Sequence, residues 1–132
     1  MKYILITGVS TGIGFDSAQF LITKGYFVFG SVRKESDAQR LEKELGPNFK
    51  ALIFDVCDAK AIKQSVKVVK SICGENGLKA LINNAGIAVF GPWQFIELEQ
   101  VELQMNVNFY GVVRVCQAVS YTHLTLPTIC SV

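Results

Sequence analysis

The sequence has little histidine, few prolines and no closely spaced pair of cysteines. Its single histidine and its four cysteines do not have the ligand spacing of a structural zinc site. Because no Cys-x-x-Cys pair occurs, we interpret the cysteines as reduced, mostly buried thiols of a cytosolic protein. The sequence therefore predicts no metal site. The residues in question are His123, Cys57, Cys73, Cys116 and Cys130.

The chain also lacks a strong charge of either sign. Thirteen Lys and Arg residues against eleven Asp and Glu residues leave a formal net charge of +2, too small to indicate nucleic acid or an anionic membrane as the main partner. No uncharged apolar stretch approaches the roughly 18 residues of a membrane span, and Thr7 and Gly8 interrupt the first apolar run before it reaches the length of a secretory signal. We therefore expect a soluble, cytoplasmic protein in which any basic group that matters acts locally.

Short apolar runs alternate with stretches long enough for helices. The chain has 132 residues, enough for one small domain, and half of them are apolar, which excludes a disordered or fibrous protein. The runs lie at residues 3–6, 26–29, 51–54 and 80–82. Continuous apolar strands separated by helices indicate a parallel sheet covered on both faces. We predict an α/β fold, a Rossmann-like doubly wound parallel sheet of order 3-2-1-4 that ends after the fourth strand and its following helix.

Helical spacing of apolar residues gives the expected helices. They lie at residues 12–24, 37–45, 59–73 and 98–118, with Asp58 as the N-cap of the third and residues 74–77 closing it. The side chains expected to face the sheet are Ala18, Leu21 and Ile22 in the first helix, and Ile62, Val66, Val69 and Ile72 in the third.

The first strand leads directly into a glycine-rich loop, Thr-Gly-x-x-x-Gly-x-Gly, over residues 7–14. Gly8 allows a tight turn, Gly12 lets the backbone approach a pyrophosphate, and Gly14 permits close packing of helix on strand. Three glycines near a turn can also serve only to turn the chain. The strand-loop-helix context favours nucleotide binding over that alternative.

Two further motifs follow in order: Asn83-Asn84-Ala85-Gly86 after the fourth strand, and Val107-Asn108-Phe109-Tyr110-Gly111 in the last helix. Together with the loop, they resemble the compact, single-domain branch of the short-chain dehydrogenase/reductase family over residues 1–118. The resemblance implies an oxidoreductase that transfers a hydride between a nicotinamide cofactor and an alcohol or carbonyl carbon. Gly91-Pro92 and residues 112–118 look most like the steroid and retinol dehydrogenase subgroup, which implies a hydrophobic substrate.

The end of the second strand carries basic residues instead of an acid. A Rossmann unit that prefers NAD(H) places Asp or Glu there, on the ribose hydroxyls. Here Val32 is followed by Arg33 and Lys34, and an arginine fork can pair with the 2′-phosphate of NADP(H). The alternative is an ordinary solvated turn. We therefore predict NADP(H) as the cofactor.

The resemblance adds further cofactor contacts. Ser10 is implied to touch the 2′-phosphate, and Asp55 with Val56 to flank the adenine, although Asp55 can equally be a turn or capping carboxylate. The motif at residues 83–86, which contains Asn84, is expected to hold the fourth strand beside the cofactor. It also fits an Asn-rich turn. The predicted cofactor-binding residues are Gly8, Ser10, Thr11, Gly12, Ile13, Gly14, Arg33, Lys34, Asp55, Val56, Asn84, Ala85 and Gly86.

Asn108 is the residue that we assign to the catalytic centre. Asparagine is a poor helix former, so its position in the middle of a predicted helix indicates a role other than helix formation. The resemblance implies that Asn108 supports the active site through a helix irregularity and a bound water.

The tyrosine and lysine that do the family's chemistry are missing. Family members use a Tyr-x-x-x-Lys motif, in which the lysine lowers the tyrosine pKa. Tyr121 is followed four positions later by Thr125, so we reject it as catalytic. A non-catalytic NADP(H)-binding or regulatory module is therefore the alternative to an enzyme.

The last residues differ in character from the rest, and from Val119 the pattern is expected to break the helix. Residues 119–128 can be back-translated as one reading frame of a transposase mosaic end joined to a sequencing-library adapter. We expect residues 119–132 to be translated adapter and residues 1–118 to be the NADP(H)-binding part of a longer protein, itself a homo-oligomer. The 132 residues alone are expected to fold poorly, because the fourth strand is an unpaired edge, and to be inactive.

Overall fold

The computed structural model describes residues 1–123, the last three by their backbone alone. Its sheet has the predicted strand order, β3-β2-β1-β4, and all neighbouring strands pair in parallel. The predicted α/β Rossmann-like architecture is confirmed. The strands are β1 (Tyr3–Ile6), β2 (Phe27–Val32), β3 (Phe49–Ile53) and β4 (Leu78–Ile82).

Helices connect the strands and follow the last one. They are α1 (Gly12–Thr23), α2 (Glu35–Leu45), α3 (Ala59–Cys73), α4 (Leu98–Met105) and α5 (Gly111–His123). Short 3₁₀ turns lie at Gly74–Asn76 and Trp93–Phe95, and a π-helical segment at Asn106–Tyr110 joins α4 to α5. The Asp58 side chain accepts hydrogen bonds from the backbone N–H groups of Lys60 and Ala61, so the predicted N-cap is confirmed.

The strands bury alternate side chains on opposite faces of the sheet. Leu5 and Phe29 belong to the core cluster that includes residues of α3 and α5, whereas Ile4 and Val28 belong to the cluster that includes residues of α1 and α2. This two-residue alternation is what places helices on both faces of one parallel sheet. Each fully buried large apolar side chain stabilises the fold by about 2 kcal/mol.

The structure corrects several details of the predicted helices and cysteines. Ile72 was expected to face the sheet, but it is 38% exposed and Cys73 is buried in its place. Of the cysteines that the structure describes, Cys73 alone is buried, so the expectation of mostly buried thiols is wrong for Cys57 and Cys116, which are half-buried. The thiol of Cys73 has its pKa raised to about 11 by burial. Cys130 lies outside the described residues.

The stretch after the fourth strand is not one regular helix. The π-helical segment interrupts it, and α5 continues to His123 instead of breaking at Val119. Val119 is buried in the core, and the Ser120 hydroxyl donates to the carbonyl oxygen of Cys116 at 2.6 Å. The helix therefore continues through residues 119–123, none of which is a proline or glycine. The rest of the segment interpreted as adapter, residues 124–132, lies outside the described residues.

Strand β4 is at one edge of the described sheet. It pairs with β1 on one side, and its residues Lys79, Ala80 and Ile82 are exposed, unlike the buried strand β1. Within residues 1–123 no helix is both long enough and apolar enough to cross a membrane.

Candidate cofactor-binding site

A cleft of about 410 Å³ lies at the carboxyl ends of the four strands. In an open parallel sheet, ligands bind at this edge, where the strand order reverses between β1 and β4. The order of the strands therefore brings four sequence-distant loops to one place. The lining residues are Gly8, Ser10, Thr11, Ser31, Val32, Arg33, Phe54, Asp55, Val56, Cys57, Asn84, Ala85, Gly86, Ile87, Leu103 and Val107.

The glycine-rich loop has the backbone geometry that its glycines permit. Gly8 and Gly12 have φ angles of +70° and +61°, which L side chains rarely adopt. A Cβ at Gly12 would meet nothing within 4 Å, so the space beside it is open to a ligand. A Cβ at Gly14 would collide with the carbonyl oxygen of Gly8 and lie 2.5 Å from Asn84 Nδ2. The close packing expected at Gly14 is therefore present.

Helix α1 begins directly after this loop. Thr11 is the N-cap, its side chain makes no capping hydrogen bond within the described chain, and the first turn carries no acidic residue. Helix N-termini carry partial positive charge and backbone N–H groups without partners in the helix, an arrangement that binds anions. The loop and α1 thus fit a pyrophosphate.

Hydrogen bonds from β2 and from the loop after β4 fix the first half of the loop. The Gly8 N–H donates to Ser31 Oγ at 3.0 Å, and the Val9 N–H donates to the Ser31 carbonyl oxygen at 3.0 Å. Asn84 Nδ2 donates to the carbonyl oxygens of Thr7 and Gly8, at 3.1 and 2.8 Å. The backbone that faces the cleft is therefore preorganised.

Basic character at the end of β2 comes from Arg33. Its side chain is exposed, lines the cleft, and makes no hydrogen bond or ion pair with any residue of the described chain. Val32 before it is buried. Lys34 is the N-cap residue of α2 and does not line the cleft, so the structure brings one of the two predicted basic residues to the site.

The turn after β3 forms another part of the cleft wall. Asp55 Oδ1 accepts a hydrogen bond from the Cys57 N–H at 2.8 Å, as in an Asx turn. Burial raises the pKa of the Cys57 thiol, and the negative charge of Asp55 raises it further. Asp55 and Val56 both line the cleft, and the turn role that we considered for Asp55 is also present.

The π-helical segment holds the loop that follows β4. Asn108 Oδ1 accepts from the Ile87 N–H at 2.8 Å, and Asn108 Nδ2 donates to the Ile87 carbonyl oxygen at 2.6 Å. One turn earlier, Gln104 Oε1 accepts from the Val89 N–H at 2.6 Å. The helix irregularity that the resemblance implied at Asn108 is therefore found. Asn108 acts on the cleft through Ile87 and does not line it.

An arginine from α5 stabilises this irregular segment. Arg114 donates to Asn106 Oδ1 at 2.6 Å and to the carbonyl oxygens of Asn106 and Val56. A Cβ at Gly111 would lie 2.6 Å from Val56 Cγ2. The start of α5 thus packs closely on the turn after β3, and Arg114 joins the π-helical segment to the same turn.

The structure brings most of the predicted cofactor-binding residues together. Those that line the cleft are Gly8, Ser10, Thr11, Arg33, Asp55, Val56, Asn84, Ala85 and Gly86, and those that do not are Gly12, Ile13, Gly14 and Lys34. Phe90 and Trp93, 90% and 79% exposed, lie outside it.

Sequence reasoning missed Ser31, Gln104 and the roles of the Thr7 and Asn84 side chains. The one signal for Ser31 in the sequence was a polar residue in an otherwise apolar strand. The structure shows that this residue is buried, where a polar group needs a hydrogen-bond partner.

Comparisons with known proteins agree with this geometry. The protein-family model for the family described as short chain dehydrogenase matches residues 2–125 of this chain. The chain is 39% identical over 117 residues to the NADPH-dependent 3-dehydrocapnine reductase of Ornithobacterium rhinotracheale, covering 89% of this chain and 41% of that protein. It is also 39% identical over 118 residues to the 3-ketodihydrosphingosine reductase of Bacteroides thetaiotaomicron, covering 89% and 40%.

Solved structures show the same fold. An NADPH-bound carbonyl reductase from chicken fatty liver superposes with a TM-score of 0.83 at 29% identity, covering 92% of this chain and 48% of that one. A serine dehydrogenase from Escherichia coli gives a TM-score of 0.83 at 27% identity, covering 91% and 55%. The chain spans about two fifths of the length of the two reductases named above.

Proposed function

The chain belongs to the short-chain dehydrogenase family, and we propose that it binds NADP(H) and is the cofactor-binding part of an alcohol/carbonyl oxidoreductase. The observation that carries the proposal is that Ser10 and Arg33 line the same cleft as Thr11, the N-cap residue of α1. Both side chains suit a 2′-phosphate, and the two residues directly after β2 are Arg33 and Lys34, with a carboxylate at neither position.

The cofactor has a consistent place in this cleft. The pyrophosphate would lie against Gly8 and the N-cap residue Thr11, at the start of α1. The adenine would lie between Arg33 and the turn at Asp55 and Val56, and the nicotinamide beside the loop after β4. The bound cofactor supplies or accepts the hydride. Asn84 and Asn108 keep the cleft in shape by holding Gly8 and Ile87.

We further propose that the substrate is a keto compound with an apolar portion. Two relatives at 39% identity are named as reductases of a 3-dehydro or 3-keto compound, and one of them is named as NADPH-dependent. The aromatic residues Phe90, Trp93 and Phe95 follow the cofactor cleft in the chain and are exposed. They would offer such a substrate an exposed apolar surface.

This sequence does not supply a general acid/base for the proposed reaction. None of its four tyrosines is followed four positions later by lysine. We therefore propose that residues 119–132 are translated adapter and that the native reading frame, the frame that begins at Met1 in the source DNA, differs after codon 118. The native frame is expected to continue into a further strand and a Tyr-x-x-x-Lys motif.

Reading source DNA that was never ligated to library adapters tests this step. If the native reading frame continues to such a motif, its product is expected to oxidise NADPH when given a long-chain 3-keto ester, and a Tyr→Phe variant at that motif is the control. If the source DNA itself encodes residues 119–132 and then stops, the adapter proposal is wrong. A non-catalytic NADP(H)-binding module is then the better reading.

We also propose that the whole protein is a homo-oligomer. Apolar side chains are exposed along α4 and the π-helical segment, among them Met105, Phe109 and Tyr110, and exposed apolar patches of this kind mark association surfaces. Sedimentation equilibrium of the native-frame product is expected to give a dimer or larger assembly, and a monomer at all concentrations would contradict this.

A further inference from the structure

We propose that Arg40, on α2, is a positioning residue for recognition of the 2′-phosphate, an inference that rests on the proposed binding of NADP(H). Its Nη2 donates to the carbonyl oxygen of Ser10 at 2.7 Å, across 30 positions of sequence. Ser10 lines the cleft, whereas Arg40 does not. Arg40 therefore acts on the cofactor through Ser10.

The other hydrogen bonds of the loop show why this contact is specific to Ser10. Gly8 and Val9 are held by Ser31, and Asn84 holds Thr7 and Gly8. These bonds come from β2 and from the loop after β4, and they do not involve α2. Loss of the Arg40 side chain would thus release Ser10 and leave the glycine part of the loop, which faces the pyrophosphate, in place.

Two carboxylates orient the guanidinium of Arg40. Asp37 Oδ1 lies 3.4 Å from Nη2 and Glu44 Oε2 lies 3.5 Å from Nη1, three residues before and four after on the same helix. Exposed ion pairs at these distances contribute little stability by themselves. They flank the guanidinium on both sides along the helix, while its Nη2 reaches the carbonyl oxygen of Ser10.

The contact also changes the charge near the proposed phosphate position. A carbonyl oxygen beside a phosphate is repulsive, and a charge-assisted hydrogen bond to that oxygen offsets the repulsion. Arg33 has no partner in the described chain and remains free to pair with the phosphate directly. The two arginines therefore have different roles. Arg33 contacts the 2′-phosphate, and Arg40 fixes Ser10 beside that phosphate.

The experiment measures dissociation constants of NADPH and NADH for the native-frame product by titration. Arg40→Met keeps the length of the side chain and removes its donors, and Arg40→Lys restores a charged donor. Lys43→Met is the matched control, because it removes the same charge from an exposed position of the same helix. Thermal melts of every variant report folding.

Arg40→Met is expected to weaken NADPH binding about tenfold, the loss of one charge-assisted contact, and to change NADH binding less than about twofold. Arg40→Lys is expected to recover part of the loss, and Lys43→Met to have no effect. In a Ser10→Ala background, Arg40→Met is expected to cause a smaller loss, because the hydroxyl that Arg40 positions is gone while its hydrogen bond to the carbonyl oxygen of residue 10 remains.

Equal weakening of NADPH and NADH would overturn the proposal by showing general damage to the loop. An effect of Lys43→Met as large as that of Arg40→Met, or an additive effect in the Ser10→Ala background, would also overturn it. These outcomes differ from failure of the proposed function, in which the unmutated protein itself shows no preference for NADPH.

Discussion

Thr7 and Asn84, 77 positions apart in the chain, are joined by two hydrogen bonds. The Asn84 N–H donates to Thr7 Oγ1 at 3.0 Å, and Asn84 Nδ2 donates to the Thr7 carbonyl oxygen at 3.1 Å. The Ala85 N–H also donates to Thr7 Oγ1 at 2.9 Å. These bonds fasten the end of β4 to the end of β1 at the point where the cofactor is proposed to bind.

Replacing Asn84 should therefore lower both the free energy of unfolding and the affinity for the proposed cofactor. Asn84→Ala leaves the carbonyl oxygens of Thr7 and Gly8 without that partner in a part-buried place, so we expect the free energy of unfolding to fall by about 2 kcal/mol. Denaturant titration measures this. Asn83→Ala is the matched control, because Asn83 is exposed and its Nδ2 makes a 3.5 Å contact with Cys116 Sγ. Equal effects of the two substitutions would contradict the role given to Asn84.

Gly14 is expected to tolerate no side chain. Gly14→Ala would push a methyl group into the Gly8 carbonyl oxygen and Asn84 Nδ2, and we expect a loss of more than about 2 kcal/mol in the free energy of unfolding. In Gly25→Ala the new methyl group meets nothing within 4 Å, and only the φ of +85° is unfavourable, at about 1 kcal/mol. Thermal or denaturant melts compare the two. A milder effect at Gly14 than at Gly25 would show that the loop and α1 are not closely packed.

Much of this arrangement follows from the sequence, and some of it does not. Strand order, the helix start at Asp58 and the turn at Gly8 were predictable, because they depend on local periodicity, capping and backbone freedom. The contact between Arg40 and Ser10 was not, because it depends on how α2 packs beside the loop. Periodicity also cannot decide between neighbours such as Ile72 and Cys73, since a small rotation of α3 exchanges which one is buried.

The stability at acidic pH of the edge strand β3 should depend on Glu42. Its Oε1 accepts from Lys50 Nζ at 2.8 Å and from the Ala51 N–H at 3.1 Å, and the hydrogen bond from Lys50 is the main reason that its pKa lies below the ordinary value of 4.5. A lowered pKa in the folded state means that the ionised carboxylate stabilises the fold above pH 4.5, and that this contribution is lost as the pH falls through the folded-state pKa.

Glu42→Gln is expected to be less stable than the unmutated protein at pH 7, by no more than about 1 kcal/mol because the pair is exposed. The difference should shrink as the pH falls below 4.5. Urea titrations over this range measure it, with Glu44→Gln as the control on the same helix. A difference that stays constant with pH would rule out an electrostatic origin.

Cys57 should react slowly with alkylating agents, because burial and the charge of Asp55 raise its pKa and the thiolate is the reactive form. Asp55→Asn keeps an acceptor for the Cys57 N–H and removes the charge, so we expect faster alkylation of Cys57 at a given pH. Peptide mass spectrometry resolves the individual cysteines, and Cys116 is the internal reference. Saturating NADPH is expected to slow the reaction of Cys57, which lines the cleft. An unchanged rate with NADPH would place the cofactor elsewhere.

The proposed binding of NADP(H) is tested most directly by the ratio of the NADPH and NADH dissociation constants for the native-frame product and for Arg33→Asp. We expect the unmutated protein to bind NADPH at least about tenfold more tightly than NADH, and Arg33→Asp to reverse the order, because a carboxylate repels the 2′-phosphate and accepts from the ribose hydroxyls. Lys34→Ala, outside the cleft, should leave the ratio within about twofold. Equal or tighter binding of NADH by the unmutated protein, or a ratio unmoved by Arg33→Asp, would contradict it.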